Sequence, residues 1–121
     1  MQHPRELRPR PSEGRSLYRI VLADPPTLAD FTSKAEAGVP LPRALGPEAI
    51  RLWDGISVFA TESQARRAAR RYPLLGSFIT RLSVPTIPGV RYERTLGTPG
   101  HYTLWGDSAL LLACVVGVTR V

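Results

Sequence analysis

Arg19 is a charged residue within a predicted strand of mainly apolar residues. Residues 16–23, "SLYRIVLA", predict a strand that the following "DPP" ends. Strand alternation places Arg19 among apolar neighbours near the middle of this segment. A buried guanidinium is costly unless an anion meets it. The anion is either a carboxylate such as Glu93 or Asp54, or a phosphate brought by a ligand, whose oxygens fit the planar fork of arginine.

A second predicted strand carries two hydroxyls and an aromatic ring on one face. In "GISVFA", residues 55–60, alternation puts Ser57 and Phe59 on the same face, and Thr61 follows them. One interpretation is a pocket wall that offers a stacking ring and two hydroxyls to a ribose or a base. The other is structural: Thr61 caps the next helix and Ser57 bonds locally.

The segment "GHYTLWGD", residues 100–107, is dense in polar and aromatic side chains. His101, Thr103 and Trp105 alternate to one face of the predicted strand. His101 suits acid–base chemistry near neutral pH, and Trp105 can stack on a base. The structural alternative is an edge strand in which Trp105 covers the core and Asp107 caps the next turn of helix.

Periodicity and breaker residues predict the elements that hold these side chains. Strands are predicted at residues 16–23, 55–60, 76–85, 90–96, 100–106 and 114–121, and helices at 28–37, 48–53, 62–72 and 108–113. This order predicts an α+β domain with a mostly antiparallel sheet and flanking helices.

The helix at residues 62–72 is the most basic element. Ala65, Ala68, Ala69 and Tyr72 recur at helical spacing, which predicts an apolar stripe that faces the core. The opposite side then carries the arginines, which are Arg66, Arg67, Arg70 and Arg71. Three interpretations stay open: a solvated face, a surface that contacts phosphates or nucleic acid, and a protein interface. Side chains that read bases are scarce among these arginines, and no zinc-finger or RNA-binding aromatic motif accompanies them.

Composition limits the other possibilities. The length of 121 residues predicts one domain at 16–121, preceded by a disordered basic arm at 1–15. The net charge of +6 reflects either an affinity for anions or a coding bias towards arginine. Cys114 is the one cysteine and is predicted to be a buried apolar residue, so no disulfide framework or metal site is expected. The chain has neither a signal-peptide pattern nor the run of about 20 apolar residues of a membrane helix, which predicts a cytoplasmic protein without membrane contact.

Two segments together resemble a known family. "LYRIV" near the start, and "GISVFAT" running into an alanine-bearing helix, resemble the ADP-ribosyltransferase-like fold, most of all its small bacterial NAD-consuming toxins. The resemblance covers residues 16–72 by motif and the remainder by topology. In that family an arginine or histidine on the first strand holds NAD, a later strand carries a Ser, Thr or Tyr, and a further strand carries a catalytic carboxylate.

The resemblance implies roles for particular residues. Arg19, beside Tyr18, would contact the phosphates or ribose of NAD, Ser57 and Thr61 would match the hydroxyl-bearing strand, and Phe59 would stack on nicotinamide. The implied substrate is NAD, with a protein, a nucleic acid or water as acceptor, and an antitoxin or immunity protein as a candidate partner. The chain departs from the pattern because residues 100–106 contain no carboxylate. Glu93, Asp107 or His101 would serve instead, or the domain binds a nucleotide without cleaving it.

Overall fold

The chain forms one antiparallel sheet with three helices packed around it. The computed structural model describes residues 14–41, 46–95 and 98–121. The strands are β1 Arg15–Val21, β2 Ile56–Phe59, β3 Phe78–Val84, β4 Arg91–Arg94, β5 His101–Trp105 and β6 Val115–Arg120. The helices are α1 Pro47–Trp53, α2 Glu62–Arg71 and α3 Ser108–Ala113. The predicted fold class, an α+β domain with a mostly antiparallel sheet, is confirmed.

One predicted element was wrong. Residues 28–37 do not form an α-helix; a single 3-10 turn, Leu28–Phe31, is followed by extended backbone at Thr32. The side chain of Asp30 explains the difference, because it accepts hydrogen bonds from the backbone N–H of Leu22 at 2.9 Å and of Thr27 at 2.8 Å. These hydrogen bonds connect the turn to the end of β1, and they stabilise it more than the helix propensity of residues 28–37 stabilises an α-helix.

A central strand of the sheet, β1, pairs fully with one neighbour and only briefly with the other. The strand order of the sheet is β4-β5-β2-β1-β3-β6, which places β1 between β2 and β3. Every residue of β1 has a partner in β3, from Arg15 with Val84 to Val21 with Phe78. Within the described ranges, β1 and β2 share a single partner pair, Tyr18 with Phe59. Beyond that pair, side chains rather than a continuous backbone ladder must connect the two strands.

Apolar side chains pack on both faces of the sheet. The larger cluster is Leu17, Val21, Phe31, Ile56, Val58, Leu82, Val84, Leu104, Leu111 and Cys114. The smaller cluster, under α2, is Ile20, Phe59, Ala65, Ala69 and Ile79. The prediction that Cys114 is buried is therefore confirmed. The predicted stripe of α2 needs one correction: Tyr72 is 54% exposed because it lies past the end of the helix, at φ −127° and ψ 76°.

The ends of the chain and its surface bear on the remaining expectations. The predicted basic arm, residues 1–15, lies outside the described residues up to position 13, and Arg15 already opens β1. No helix in the part of the chain that the structure describes is long and apolar enough to cross a membrane. The described ranges also contain no group of three or more His, Cys, Asp or Glu side chains that is arranged to hold a metal ion.

Candidate functional site

Residues from three strands line one cleft between the sheet and α2, which we call the central cleft. Its volume is about 250 Å³. Its lining comprises Arg19, Ile20, Ser57, Phe59, Ala68, Tyr72, Leu75, Thr98 and His101. Four candidates from three strands that are distant along the chain therefore meet here: Arg19, Ser57, Phe59 and His101. Antiparallel pairing explains the meeting, because Phe59 of β2 is opposite both Tyr18 of β1 and His101 of β5.

The side chain of Arg19 crosses from β1 to β2 beside their single pair. Its Nε donates to the carbonyl oxygen of Asp30 at 3.0 Å, and its Nη1 donates to the carbonyl oxygen of Ser57 at 2.7 Å. Burial lowers the pKa of Arg19 to about 10, and the charge of Asp30 opposes that shift. Arg19 is therefore still a cation at neutral pH. Since an arginine has five N–H donors, the remaining ones are left for a ligand.

Among the described residues, no carboxylate forms an ion pair with Arg19. Glu93 instead pairs with Arg51 at 3.0 Å, and Asp54 lines a different pocket. The carboxylate of Asp30 is occupied by the backbone N–H groups of Leu22 and Thr27. The predicted ion pair of Arg19 with Glu93 or Asp54 is therefore absent from the described residues.

The candidate residues on and after β2 have two different roles: lining the cleft and capping α2. Ser57 is exposed and lines the cleft, while the ring of Phe59 packs edge-on against His101 with 5.5 Å between centroids. Thr61 is not in the lining. Its Oγ1 accepts from the backbone N–H of Gln64 at 3.1 Å, and the side chain of Gln64 accepts from the Thr61 N–H at 3.2 Å. Thr61 is thus the N-cap of α2, as the structural alternative predicted.

His101 is buried and oriented by hydroxyl groups. Its Nδ1 lies 3.1 Å from Thr95 Oγ1 and 3.3 Å from the carbonyl oxygen of Thr95. Thr95 Oγ1 is in turn 2.7 Å from Thr103 Oγ1. Burial lowers the pKa of His101, partly offset by the backbone bond to Thr95, so the imidazole is neutral at pH 7. With Nδ1 occupied by Thr95, Nε2 is the nitrogen left for a ligand.

Three other candidates lie outside the cleft. The indole N–H of Trp105 donates to the carbonyl oxygen of Arg51 at 2.9 Å, and the guanidinium carbons of Arg51 and Arg91 lie 5.0 and 4.6 Å from its ring centroid. Asp107 caps α3 by accepting from the N–H of Leu110 at 3.1 Å. Glu93, on β4, is held by Arg51. The structure thus places no candidate carboxylate beside His101.

Two further spaces adjoin the central cleft. One, the Lys34 pocket, has a volume of about 310 Å³ and shares Arg19 and Ser57 with the cleft. The other, the side pocket, has a volume of about 360 Å³ and shares Phe59 and Tyr72 with it. Of the described residues that line these three spaces, none is Asp or Glu. The basic side chains along this run therefore favour an anionic ligand.

The four arginines of α2 differ in their contacts. Arg66 is held by Glu62 at 2.6 Å and donates to the carbonyl oxygen of Arg120 at 3.0 Å. Arg67 and Arg71 line the side pocket, and Arg70 is exposed without lining any of these spaces. Of the four arginines that the sequence places opposite the apolar stripe, Arg66 is the one with an ion pair among the described residues.

Sequence patterns missed part of the lining. Helical spacing predicts that Tyr72 belongs to the inward stripe of α2. The following Pro73 is the sequence signal that the helix ends here and that Tyr72 leaves this stripe. Thr98 lies in the loop before β5, and Lys34 follows the 3-10 turn. No periodicity marks either position, because both are placed by loops.

Comparison of the chain with protein-family models, with curated proteins and with solved structures found no match. The function is therefore inferred from the chemistry of the central cleft and its neighbours.

Proposed function

We propose that this chain binds NAD in the central cleft and cleaves the bond between nicotinamide and ribose, as an ADP-ribosyltransferase or NAD glycohydrolase does. The observation that carries the proposal is one shared cleft for residues of β1, β2 and β5, namely Arg19, Ser57, Phe59 and His101. A cytoplasmic bacterial toxin, restrained by an antitoxin or immunity protein, is the biological setting we propose for such an activity.

Size and charge both support a dinucleotide. The central cleft, at about 250 Å³, accommodates a single heteroaromatic ring beside Phe59. Known ligand pockets span roughly 300–1,000 Å³, and the adjoining Lys34 pocket extends the available space across Arg19. The free donors of Arg19 suit the diphosphate, because guanidinium groups bind phosphate oxygens in pairs. Ser57 lines the same cleft, and its hydroxyl would bond a ribose hydroxyl.

The chemistry requires charge stabilisation more than covalent catalysis. The C–N bond between ribose and nicotinamide breaks, and its electron pair neutralises the positive pyridinium ring of the leaving nicotinamide. A lone pair of the acceptor, water in the simplest case, then bonds to the ribose carbon. The acceptor proton passes to neutral His101 through Nε2 and then to solvent. Arg19 balances the diphosphate charge throughout, and positioning supplies the rest.

Release of nicotinamide from NAD tests the proposal. The wild type is expected to release nicotinamide, whereas Arg19→Ala and His101→Ala are expected to lose that activity while they stay folded. Glu93→Gln and Asp107→Asn are the matched controls, because both residues lie outside the cleft and both changes keep side-chain size. If the wild type neither releases nicotinamide nor gains thermal stability with NAD, the proposal is wrong.

The alternative is a non-catalytic basic module that binds nucleic acid or a protein through α2. It draws on the exposure of Arg67, Arg70 and Arg71. The pairing of Arg66 with Glu62 weakens it, since one of the four cations is already neutralised. This alternative predicts nucleic-acid binding that falls steeply with salt and is unaffected by Arg19→Ala.

A further inference from the structure

We propose that Arg67 and Arg71 form a phosphate-binding subsite in the side pocket, at the edge of the central cleft. The subsite is distinct from Arg19, which lines the cleft and the Lys34 pocket but not the side pocket. Its ligand class is a phosphate group of a nucleotide. That the ligand is a nucleotide rests on the proposed function, whereas the anion site itself rests on the geometry of α2.

Helical spacing directs both arginines to one place. Arg67 and Arg71 are four positions apart, so their side chains leave the same face of α2. Both line the side pocket together with Thr98. Thr98 also lines the central cleft. Two guanidinium groups on one helical face can bind one phosphate group from two sides.

Neither arginine is neutralised by a carboxylate in the described ranges. Arg66, on the same helix, pairs with Glu62, and Arg51 pairs with Glu48 and Glu93. Arg71 bonds through Nε to the hydroxyl of Tyr72 at 2.9 Å and lies over that ring, with 5.4 Å from its guanidinium carbon to the centroid. This contact fixes the direction of the side chain and leaves its terminal nitrogens available. A preordered guanidinium loses less entropy when it binds.

The helix itself acts weakly against an anion here. Arg71 lies in the last turn of α2, where the carbonyl dipoles disfavour negative charge weakly. A hydrogen bond from a charged donor favours a bound anion by more than the dipole of one exposed helix end disfavours it. Two arginines therefore outweigh the dipole, and the lining supplies no carboxylate to reduce their effect.

Binding of inorganic pyrophosphate tests the subsite without any turnover of NAD. Isothermal titration is expected to show that Arg67→Gln/Arg71→Gln binds pyrophosphate at least about tenfold more weakly than the wild type, from the lost charged bonds. Arg81→Gln/Arg94→Gln is the matched control: it removes the same charge from exposed residues that line neither space, and is expected to keep wild-type affinity. Unchanged affinity in the first variant, or an equal loss in the control, would overturn the subsite.

Two further arms identify the source of the phosphate. If it belongs to NAD, the first variant raises the KM for NAD in nicotinamide release and leaves kcat unchanged. If it belongs to an acceptor, that KM stays constant, and the variant loses its preference for a 5′-phosphorylated oligonucleotide over the 5′-hydroxyl form. If neither changes, phosphate binding at this place does not serve a nucleotide and the ligand assignment fails. Pyrophosphate binding without nicotinamide release would sink the proposed function and keep the anion site.

Discussion

Replacing Arg19 with methionine separates a ligand-binding role from a structural one. Burial lowers the pKa of Arg19 to about 10 from an ordinary value of about 12.5. At about 1.4 kcal/mol per pKa unit, the folded protein carries roughly 3 kcal/mol of unfavourable free energy at neutral pH for holding this charge. Because the folded pKa is the lower one, this cost is fully present below pH 10 and is relieved as the pH rises through about 10.

The hydrogen bonds of Arg19 offset that cost. Its two bonds, to the carbonyls of Asp30 and Ser57, contribute about 1.5–3 kcal/mol each. Arg19→Met removes both the cost and the bonds, so the free energy of unfolding is expected to fall by only about 0–3 kcal/mol. Loss of a charge contact to the ligand is worth more, about 2–5 kcal/mol, which is about 30- to 5,000-fold in the Kd for NAD.

Urea unfolding and calorimetric titration with NAD measure the two quantities separately. We expect the variant to stay folded at neutral pH and to lose nearly all measurable NAD affinity. A variant that unfolds much more easily, by over 4 kcal/mol, yet binds NAD as the wild type does after allowance for the folded fraction, would refute the reasoning. Arg19 would then serve only to join β1 to β2.

Two other predictions follow from the geometry. Since the pKa of His101 is lowered, nicotinamide release is expected to fall at pH values below the ordinary histidine pKa of about 6.5 and to stay constant above it, until Arg19 loses its charge near its pKa of about 10. A pH–rate profile that falls between about pH 7 and 9 would contradict neutral His101 as the base. Gly76→Ala is expected to destabilise the fold by about 2–5 kcal/mol, because a Cβ there would overlap the Val21 carbonyl and the φ of +146° disfavours a side chain. Gly89→Ala, at φ +90° with open space around it, should lower the free energy of unfolding by only about 1–2 kcal/mol in urea titrations, and equal losses would contradict the overlap.

Local patterns predicted most of the elements, because their signals lie within one segment. Thr61 and Gln64 form the capping box that their spacing predicts, and Asp107 caps α3. The alternation of Ser57 and Phe59 on β2 placed both residues in one cleft. Where helix propensity and a tertiary bond conflicted, at Asp30, the bond to Leu22 decided the structure, and no local pattern contains that bond.

Candidates that lie outside the cleft are held there by contacts between distant segments of the chain. Trp105 shares a face with His101 by alternation, yet its indole bonds to the carbonyl of Arg51 and so belongs to another surface. The partner of Glu93 is also Arg51, which lies 42 positions away. Sequence spacing identifies which side chains share a face of one strand, but it does not reveal which of them another element already occupies.

The single partner pair between β1 and β2 has a mechanical consequence for the sheet. On one side of this joint are β4, β5 and β2, and on the other are β1, β3 and β6. Relative rotation of these two halves breaks fewer backbone bonds than separation of any fully paired strands, so the joint is the softest line across the sheet. Arg19 spans it, with its backbone in one half and its Nη1 bonded to Ser57 in the other. A ligand held by Arg19 and Ser57 together would stiffen the whole sheet, and slower amide hydrogen exchange along β1 and β2 would report its arrival.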